Sequence, residues 1–235
     1  MPRIYRAIPA HEIHLLVFDL DGTLIDSRID LANSVNAMLR ELGRHELPNE
    51  IIASYIGDGA PVLVRRALGD PKDEDFIARG LRFFLDYYRE HKLDHTYVYD
   101  DVKESLEKLS DSGRQKMAVL SNKPVGPSRA IVDALGLGKY FFQVYGGNSF
   151  DTKKPDALGL ETLCREAGVT PAQTVMIGDS SVDVLTARNC GAFSVGCNFG
   201  LAPHTLETLP PDVLVEGPAE WPDVLRNPGD RARQI

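Results

Sequence analysis

Cysteine is scarce in this chain, and positive charge is in the minority. Three cysteines, Cys164, Cys190 and Cys197, with no CxxC pair among them, cannot make a disulfide framework; this excludes a stapled secreted scaffold and points to a reducing cytoplasm. Lysine and arginine number 26 against 34 acidic residues, for a net charge of −8. That balance argues against nucleic acid or an anionic membrane as the main partner, because both demand a basic face. An anionic small molecule would then need positive charge concentrated locally. No apolar run is long enough to cross a bilayer, and Pro9, His11, Glu12 and His14 interrupt the segment where a signal peptide needs its hydrophobic stretch. Low-complexity sequence is absent too. What remains, 235 residues of which 43% are hydrophobic, suffices for one full core plus a sizeable insertion. Composition leaves the oligomeric state open.

Short runs rich in Val, Ile, Leu and Phe stand out at 14–18, 116–120, 142–145, 174–177, 193–195 and 213–215. They lack polar alternation, which suits strands buried on both faces of a parallel sheet. Helical patterns at 102–109, 127–135, 157–167 and 182–190 alternate with them. This predicts an α/β fold with a doubly wound, mostly parallel sheet of Rossmann-like type. From about 26 to 97 the pattern changes to helix after helix with no convincing strand. Leu31, Val35, Met38, Leu39 and Leu42 recur at helical spacing, with Asp26 or Ser27 as cap and Gly43 as stop. A second stretch carries Phe76, Ile77, Leu81, Phe84, Leu85 and Tyr88. The expected organisation is a core of residues 1–25 and 98–235 and a helical cap of residues 26–97. Such an insertion would hang over the carboxyl end of the sheet, where open α/β sheets bind ligands.

Asp19 and Asp21 leave the first strand directly, and Gly22 lets the chain turn sharply. One carboxylate can attack while the other moves protons, and a carboxylate nucleophile suits phosphoryl transfer because water readily finishes the resulting acyl phosphate. Two anions meeting a phosphate dianion call for a divalent cation. Taken alone, the pair reads equally as turn and cap residues. In GDSSVD at 178–183, Asp179 and Asp183 could complete an oxygen shell for Mg²⁺, or Asp179 or Ser180 could simply cap the helix that follows. Ser121, Asn122 and Lys123 leave the run ending at Leu120, and Ser121 could offer its hydroxyl and nearby amides to phosphate oxygens. A turn before Pro124 explains them nearly as well. One of Lys153 and Lys154 could neutralise phosphate and nucleophile, although lysine pairs usually form a solvated face. The weight lies in the set, since each polar cluster sits at the exit of a predicted strand.

That set resembles the haloacid dehalogenase-like phosphohydrolase superfamily over nearly the whole chain. The four motifs occur in order: DLDGT at 19–23, Ser121 in LSNKP, Lys154 in KKP, and GDSSVD at 178–183. The resemblance implies that Asp19 forms an aspartyl phosphate and that Asp21 is the general acid and base. Ser121 and Lys154 would hold the phosphate, with Thr23 and Asn122 counted among the phosphate- or substrate-binding residues. Mg²⁺ would sit on the carboxylate of Asp19, the backbone carbonyl of Asp21 and the carboxylate of Asp179, with Asp183 in support. Within the superfamily the chain is most similar to phosphoglycolate phosphatases, through YIGDGAPVLVRRAL at 55–68, VYDDVKESLEKL at 98–109, and SNKP followed by YFFQVYGGNS at 140–149. In such enzymes a cap loop, here Gly57, Asp58 and Gly59, is expected to descend toward the substrate. The chain departs at Asn148, where an aspartate is common, and at Asp156 and Ala157, where histidine or proline is; these sites bear on substrate, not on the motifs. Arg65 and Arg66 could meet a substrate carboxylate but read better as exposed. His91 and His95, at i and i+4, lack a third zinc ligand and are assigned to the surface. Trp221 and the polar tail through Ile235 carry no functional reading.

The leading expectation is a cytoplasmic, Mg²⁺-dependent phosphoric monoester hydrolase acting on a small phosphorylated metabolite, 2-phosphoglycolate first. Hydrolysis of a sugar phosphate, nucleoside monophosphate or pyrophosphate, or a phosphosugar mutase activity, is the alternative. Asp21 opposes a dehalogenase, which has no leaving alkoxide to protonate. A non-enzymatic scaffold is opposed by the completeness of the motifs.

Overall fold

The computed structural model describes residues 1–111 and 113–225, so the polar tail that ends at Ile235 lies outside the described residues from 226 onward. Its strands, in chain order, are β1 (Arg3–Ile4), β2 (Leu15–Phe18), β3 (Ile25–Asp26), β4 (Tyr97–Val98), β5 (Lys116–Leu120), β6 (Gln143–Tyr145), β7 (Thr174–Gly178), β8 (Phe193–Cys197) and β9 (Val213–Val215). Every residue of β2 and β7 is buried, as a strand covered on both faces requires. Seven strands form one sheet in the order β1-β9-β8-β7-β2-β5-β6, parallel throughout except that β1 pairs antiparallel with β9 at the edge. The chain runs from β2 out to β5 and β6, then returns to build β7, β8 and β9 on the other side. The winding therefore reverses at β2, where Phe18 lies in register with Val119 on one side and Ile177 on the other. Such a reversal opens a crevice beyond the carboxyl ends of β2, β5 and β7.

The main helices are α1 (Arg28–Glu41), α2 (Asn49–Ala53), α3 (Ala60–Ala67), α4 (Glu74–His91), α5 (Val102–Ser110), α6 (Val125–Ala134), α7 (Leu158–Ala167), α8 (Ser181–Cys190) and α9 (Trp221–Leu225). From α5 onward they pack on the sheet. Phe18, Val119 and Ile177 bury against Leu106 and Trp221 on one face, while Val17, Ala118 and Met176 bury with Leu160 and Leu163 on the other. The solitary tryptophan is thus a core residue: it is fully buried, its ring centroid 5.3 Å from that of Phe18. Helices α1 to α4 fill the span between β3 and β4, joined through Val35, Met38, Ile52, Val64, Ile77 and Phe84. No helix among the described residues is long and apolar enough to cross a membrane.

Two features at the root of this helical span differ from the sequence expectation. Where the chain leaves and re-enters the core, β3 and β4 pair antiparallel, Ile25 with Val98 and Asp26 with Tyr97. A ribbon two residues long is too short to show as alternation in the sequence. Ser27 stands at the cap position of α1 without a side-chain cap bond, its hydroxyl donating instead to Asp21 Oδ1 at 2.5 Å, while Asp26, the other residue expected there, accepts from the Arg28 amide at 3.1 Å.

A second tie sits beside that ribbon. Asp30, buried in the first turn of α1, accepts from the backbone N–H groups of His95 and Thr96 and from Thr96 Oγ1 at 2.7–3.0 Å, with His95 Nδ1 at 2.9 Å. His95 therefore clasps the exit of α4 to the entry of α1. Replacing Asp30 with Ala would strand these donors, and the loss of a charge-assisted cluster is expected to reduce stability by about 3 kcal/mol. Thermal unfolding followed by circular dichroism should show the midpoint of Asp30→Ala lowered by roughly 6–12 °C; a shift of about 1 °C would refute the assignment.

Candidate active site

The DLDGT segment turns back on itself at the tip of β2. The Leu20 carbonyl accepts from the amides of Thr23, Leu24 and Ile25 at 3.0–3.3 Å, and the Asp19 amide still donates to Ile177 on β7 at 2.8 Å. Gly22 makes the turn possible: its φ is +88°, and a Cβ there would stand 2.3 Å from Asp179 Oδ2. No other residue combines that backbone with that approach. The fold thereby sets Asp19 and Asp21 at the reversal point of the sheet, with the end of β7 alongside.

The two carboxylates have separate partners. Asp19 Oδ1 lies 2.9 Å from Lys154 Nζ, which also bonds Asp183 Oδ1 at 2.6 Å. Asp21 accepts from Ser27 and from Lys123, whose Nζ is 2.8 and 3.0 Å from its two oxygens. At the end of β7, Asp179 Oδ2 accepts from the amides of Leu201 at 2.6 Å and Ala202 at 3.0 Å. Asp183, at the start of α8, accepts from the amide and hydroxyl of Ser180 at 3.2 and 2.7 Å. The capping role and the site role are thus combined in one side chain.

Asp19, Asp179 and Asp183 offer oxygens within 4.8 Å of one another. All three are buried, and among the described residues Lys154 alone pairs with them, reaching Asp19 and Asp183. Burial pushes Asp19 up to about 6, with Lys154 pulling down and Asp183 and Asp21 adding repulsion. Burial, then the charges of Asp183 and Asp19, pushes Asp179 up to about 8 despite its two backbone donors. Hard oxygen donors crowded together with too little positive charge fit a small divalent cation such as Mg²⁺.

The other residues singled out in the sequence fall around this cluster. The Ser121 amide donates to Tyr145, and its hydroxyl accepts from the Lys123 amide at 3.3 Å. Asn122 Nδ2 donates both to Gly57 on the cap at 3.0 Å and to Lys154 at 3.1 Å, leaving its buried Oδ1 without a partner. Thr23 is fully buried, its Oγ1 likewise unpartnered. The Gly57–Gly59 loop does come down onto the core: Gly59 has φ +85° and comes so near Asn122 that a Cβ would lie 2.8 Å from its carbonyl oxygen. Asp58 differs from expectation, since its carboxylate pairs with Arg66 at 2.8 Å and only its carbonyl meets the core, at Lys153. Arg65 is held by Asp70 and Glu74 on the cap surface. A cavity of about 50 Å³ remains between cap and core, bordered by Asp19, Asp21, Ser121 and Asn122 below and by Gly57 and Tyr88 above.

Four contributors carry no role in the sequence reading. Lys123 could have been suspected from its place beside Ser121 and Asn122. Tyr88 is hidden in an apolar helical stripe, and Leu201 and Ala202 act through backbone amides that no side chain announces.

Comparison with known proteins agrees with this geometry. Residues 16–197 match the haloacid dehalogenase-like hydrolase family. The chain is 39% identical over 219 residues to a phosphoglycolate phosphatase of Chromobacterium violaceum, covering 92% of this chain and 97% of that protein. It is 37% identical over 223 residues to one of Neisseria meningitidis, covering 92% and 93%. The crystal structure of a predicted phosphoglycolate phosphatase from Haemophilus somnus is similar with a TM-score of 0.86 at 31% identity, over 92% of this chain and 99% of that one.

The crowded carboxylates also set a pH dependence. Without a cation, Asp19 and Asp179 hold protons more tightly folded than unfolded, so ionising them destabilises the fold as pH rises from about 4 through about 6 and about 8. The unfolding midpoint of EDTA-treated protein is expected to fall between about pH 5.5 and about pH 8.5. Excess MgCl₂ should restore it, more at the higher pH, and Asp179→Asn should blunt both effects. Midpoints indifferent to MgCl₂ at both pH values would count against the cation site.

Proposed function

The chain belongs to the haloacid dehalogenase-like hydrolase family and is a phosphoric monoester hydrolase, and from that premise we propose a Mg²⁺-dependent phosphatase that cleaves 2-phosphoglycolate through an aspartyl phosphate on Asp19. The observation that carries this reading is the division of partners between two adjacent carboxylates. Asp19 faces Lys154, whose charge keeps a nucleophile ionised, whereas Asp21 is held from its other side by Ser27 and Lys123.

Mg²⁺, held by the carboxylates of Asp19 and Asp179 and the backbone carbonyl of Asp21 with Asp183 in support, would supply the positive charge that lets a phosphate dianion approach this acidic site. Ser121 and Lys154 orient the phosphoryl oxygens. A carboxylate oxygen of Asp19 attacks phosphorus as the ester oxygen departs, and Asp21 gives that oxygen its proton. Asp21, now ionised, takes a proton from water as the water attacks the acyl phosphate, which releases inorganic phosphate and returns Asp19 to its carboxylate and Asp21 to its protonated form. The narrow cavity under the Gly57–Gly59 loop keeps bulk water away from the first step. The partner is thus a small phosphorylated metabolite rather than nucleic acid or a membrane, and the three free thiols suit a cytoplasmic setting.

Asp19→Asn is expected to lower phosphate release by about 10³-fold or more. Chelation of Mg²⁺ should abolish activity of the native enzyme reversibly. Specificity constants for 2-phosphoglycolate, sugar phosphates, nucleoside monophosphates and pyrophosphate should rank 2-phosphoglycolate first. Undiminished release by Asp19→Asn would overturn the nucleophile, and a higher constant for a sugar phosphate or nucleotide would overturn the substrate.

A further inference from the structure

Among the described residues, Lys123 is the one cation lining the cavity between cap and core. Its ammonium is almost wholly buried, an arrangement that costs several kcal/mol unless charge and hydrogen bonds offset it. Asp21 supplies one counter-charge. The remaining face of the ammonium lies 4.7 Å from the ring centroid of Tyr88, which reaches down from α4. Tyr88 is 2% exposed, borders the same cavity, and has a hydroxyl that lies beside the Lys123 ammonium with no acceptor for its own proton. A phenylalanine would stack on Phe84 equally well, so packing alone does not account for that hydroxyl. An orphaned buried hydroxyl costs about 1–3 kcal/mol, and a group that accepts from it would recover this.

The position of the pair says what they would accept from a ligand. The phosphoryl group falls to Asp19, Ser121 and Lys154, and Asp21 serves the ester oxygen, so the next atoms of the leaving alcohol lie toward Lys123 and Tyr88. The cap side of the cavity wall there is largely apolar, with Leu31, Ile56, Leu63 and Phe84, and beyond Ser121 and Asn122 the core side adds no further polar side chain for a row of sugar hydroxyls or a base. At about 50 Å³ the free space holds roughly three to five waters, the scale of a leaving group with few heavy atoms. Arg65 and Arg66, the other candidates for an anion, are engaged with Asp70, Glu74 and Asp58.

We propose that Lys123 of the core and Tyr88 of the cap together form the receptor for a carboxylate on the leaving alcohol, which restricts the substrate class to short phosphorylated hydroxy acids. This rests on the phosphatase reading above and assigns its specificity to two residues. Because one comes from each side of the cavity, the receptor is complete only with the cap seated, and the substrate's carboxylate helps to hold it there.

The test compares kcat/KM for 2-phosphoglycolate with that for 2-hydroxyethyl phosphate, its neutral counterpart, in the native enzyme, Lys123→Met, Lys123→Arg and Tyr88→Phe. Any effect of Lys123 exerted through Asp21 touches both esters and cancels in the ratio. The ratio is expected to fall by about 30-fold or more in Lys123→Met and by about 3–10-fold in Tyr88→Phe, with Lys123→Arg retaining most of the native preference. Should Lys123→Met be too slow to measure, Tyr88→Phe still decides the matter. A native preference for the acid that survives unchanged in Tyr88→Phe, and in Lys123→Met where it can be measured, overturns the receptor alone. A native enzyme without that preference overturns the substrate class as well.

Discussion

Four buried or nearly buried carboxylates, Asp19, Asp21, Asp179 and Asp183, meet two lysines at the point where the sheet reverses direction. This imbalance of charge is the constraint on which the rest depends. Like charges this close repel strongly in a medium of low polarity, so each carboxylate must be fixed by its own donors, and the backbone must come near enough to provide them. Gly22 is pressed against Asp179 for that reason, the amides of Leu201 and Ala202 turn inward, and Ser27 gives up its capping role to reach Asp21. The local structure sacrifices ordinary turn and cap bonding to assemble a centre in which four carboxylates share two lysines.

The helical cap answers a different requirement. A parallel sheet can gather charged groups at one edge but cannot shield them, since its strand ends face solvent. The entry and exit of the cap are tied together at its root by the β3–β4 ribbon and by Asp30, and its tip is bound to the core through Asn122 to Gly57 and Lys153 to Asp58. Asn122 is the pivotal contact, because the same amide also bonds the carbonyl of Lys154. The position of the cap loop and that of the lysine facing Asp19 are therefore held by one side chain.

Much of this was legible in the sequence, and the limits have physical causes. Strands β2, β5, β7 and β8 announce themselves because burial on both faces demands unbroken apolar runs. Edge strand β1 does not, since Arg3 and Ile4 are both exposed and pair on one side only. The motif residues Asp19, Asp21, Ser121, Lys154, Asp179 and Asp183 could be picked out because each belongs to a segment that follows a strand ending at the same edge. Their neighbours could not. Lys123 and Tyr88 are distant in sequence and meet only through the docking of α4, and the donors to Asp179 are main-chain groups. Asp58 was misleading for the opposite reason: a charged residue on a loop beside the cavity is satisfied by Arg66 of the next helix and turns away.

The placement of the single tryptophan has one more consequence. Trp221 lies beneath the strand that carries Asp19, and its ring centroid is 5.3 Å from Phe18 and 6.3 Å from Phe199. Phe199 in turn leads into the segment whose amides grip Asp179. Indole fluorescence in this protein therefore comes from one position, shielded from water and coupled through two aromatic rings to both halves of the carboxylate cluster. The one indole of the chain thus sits on the core side of the acidic centre and none is contributed by the cap.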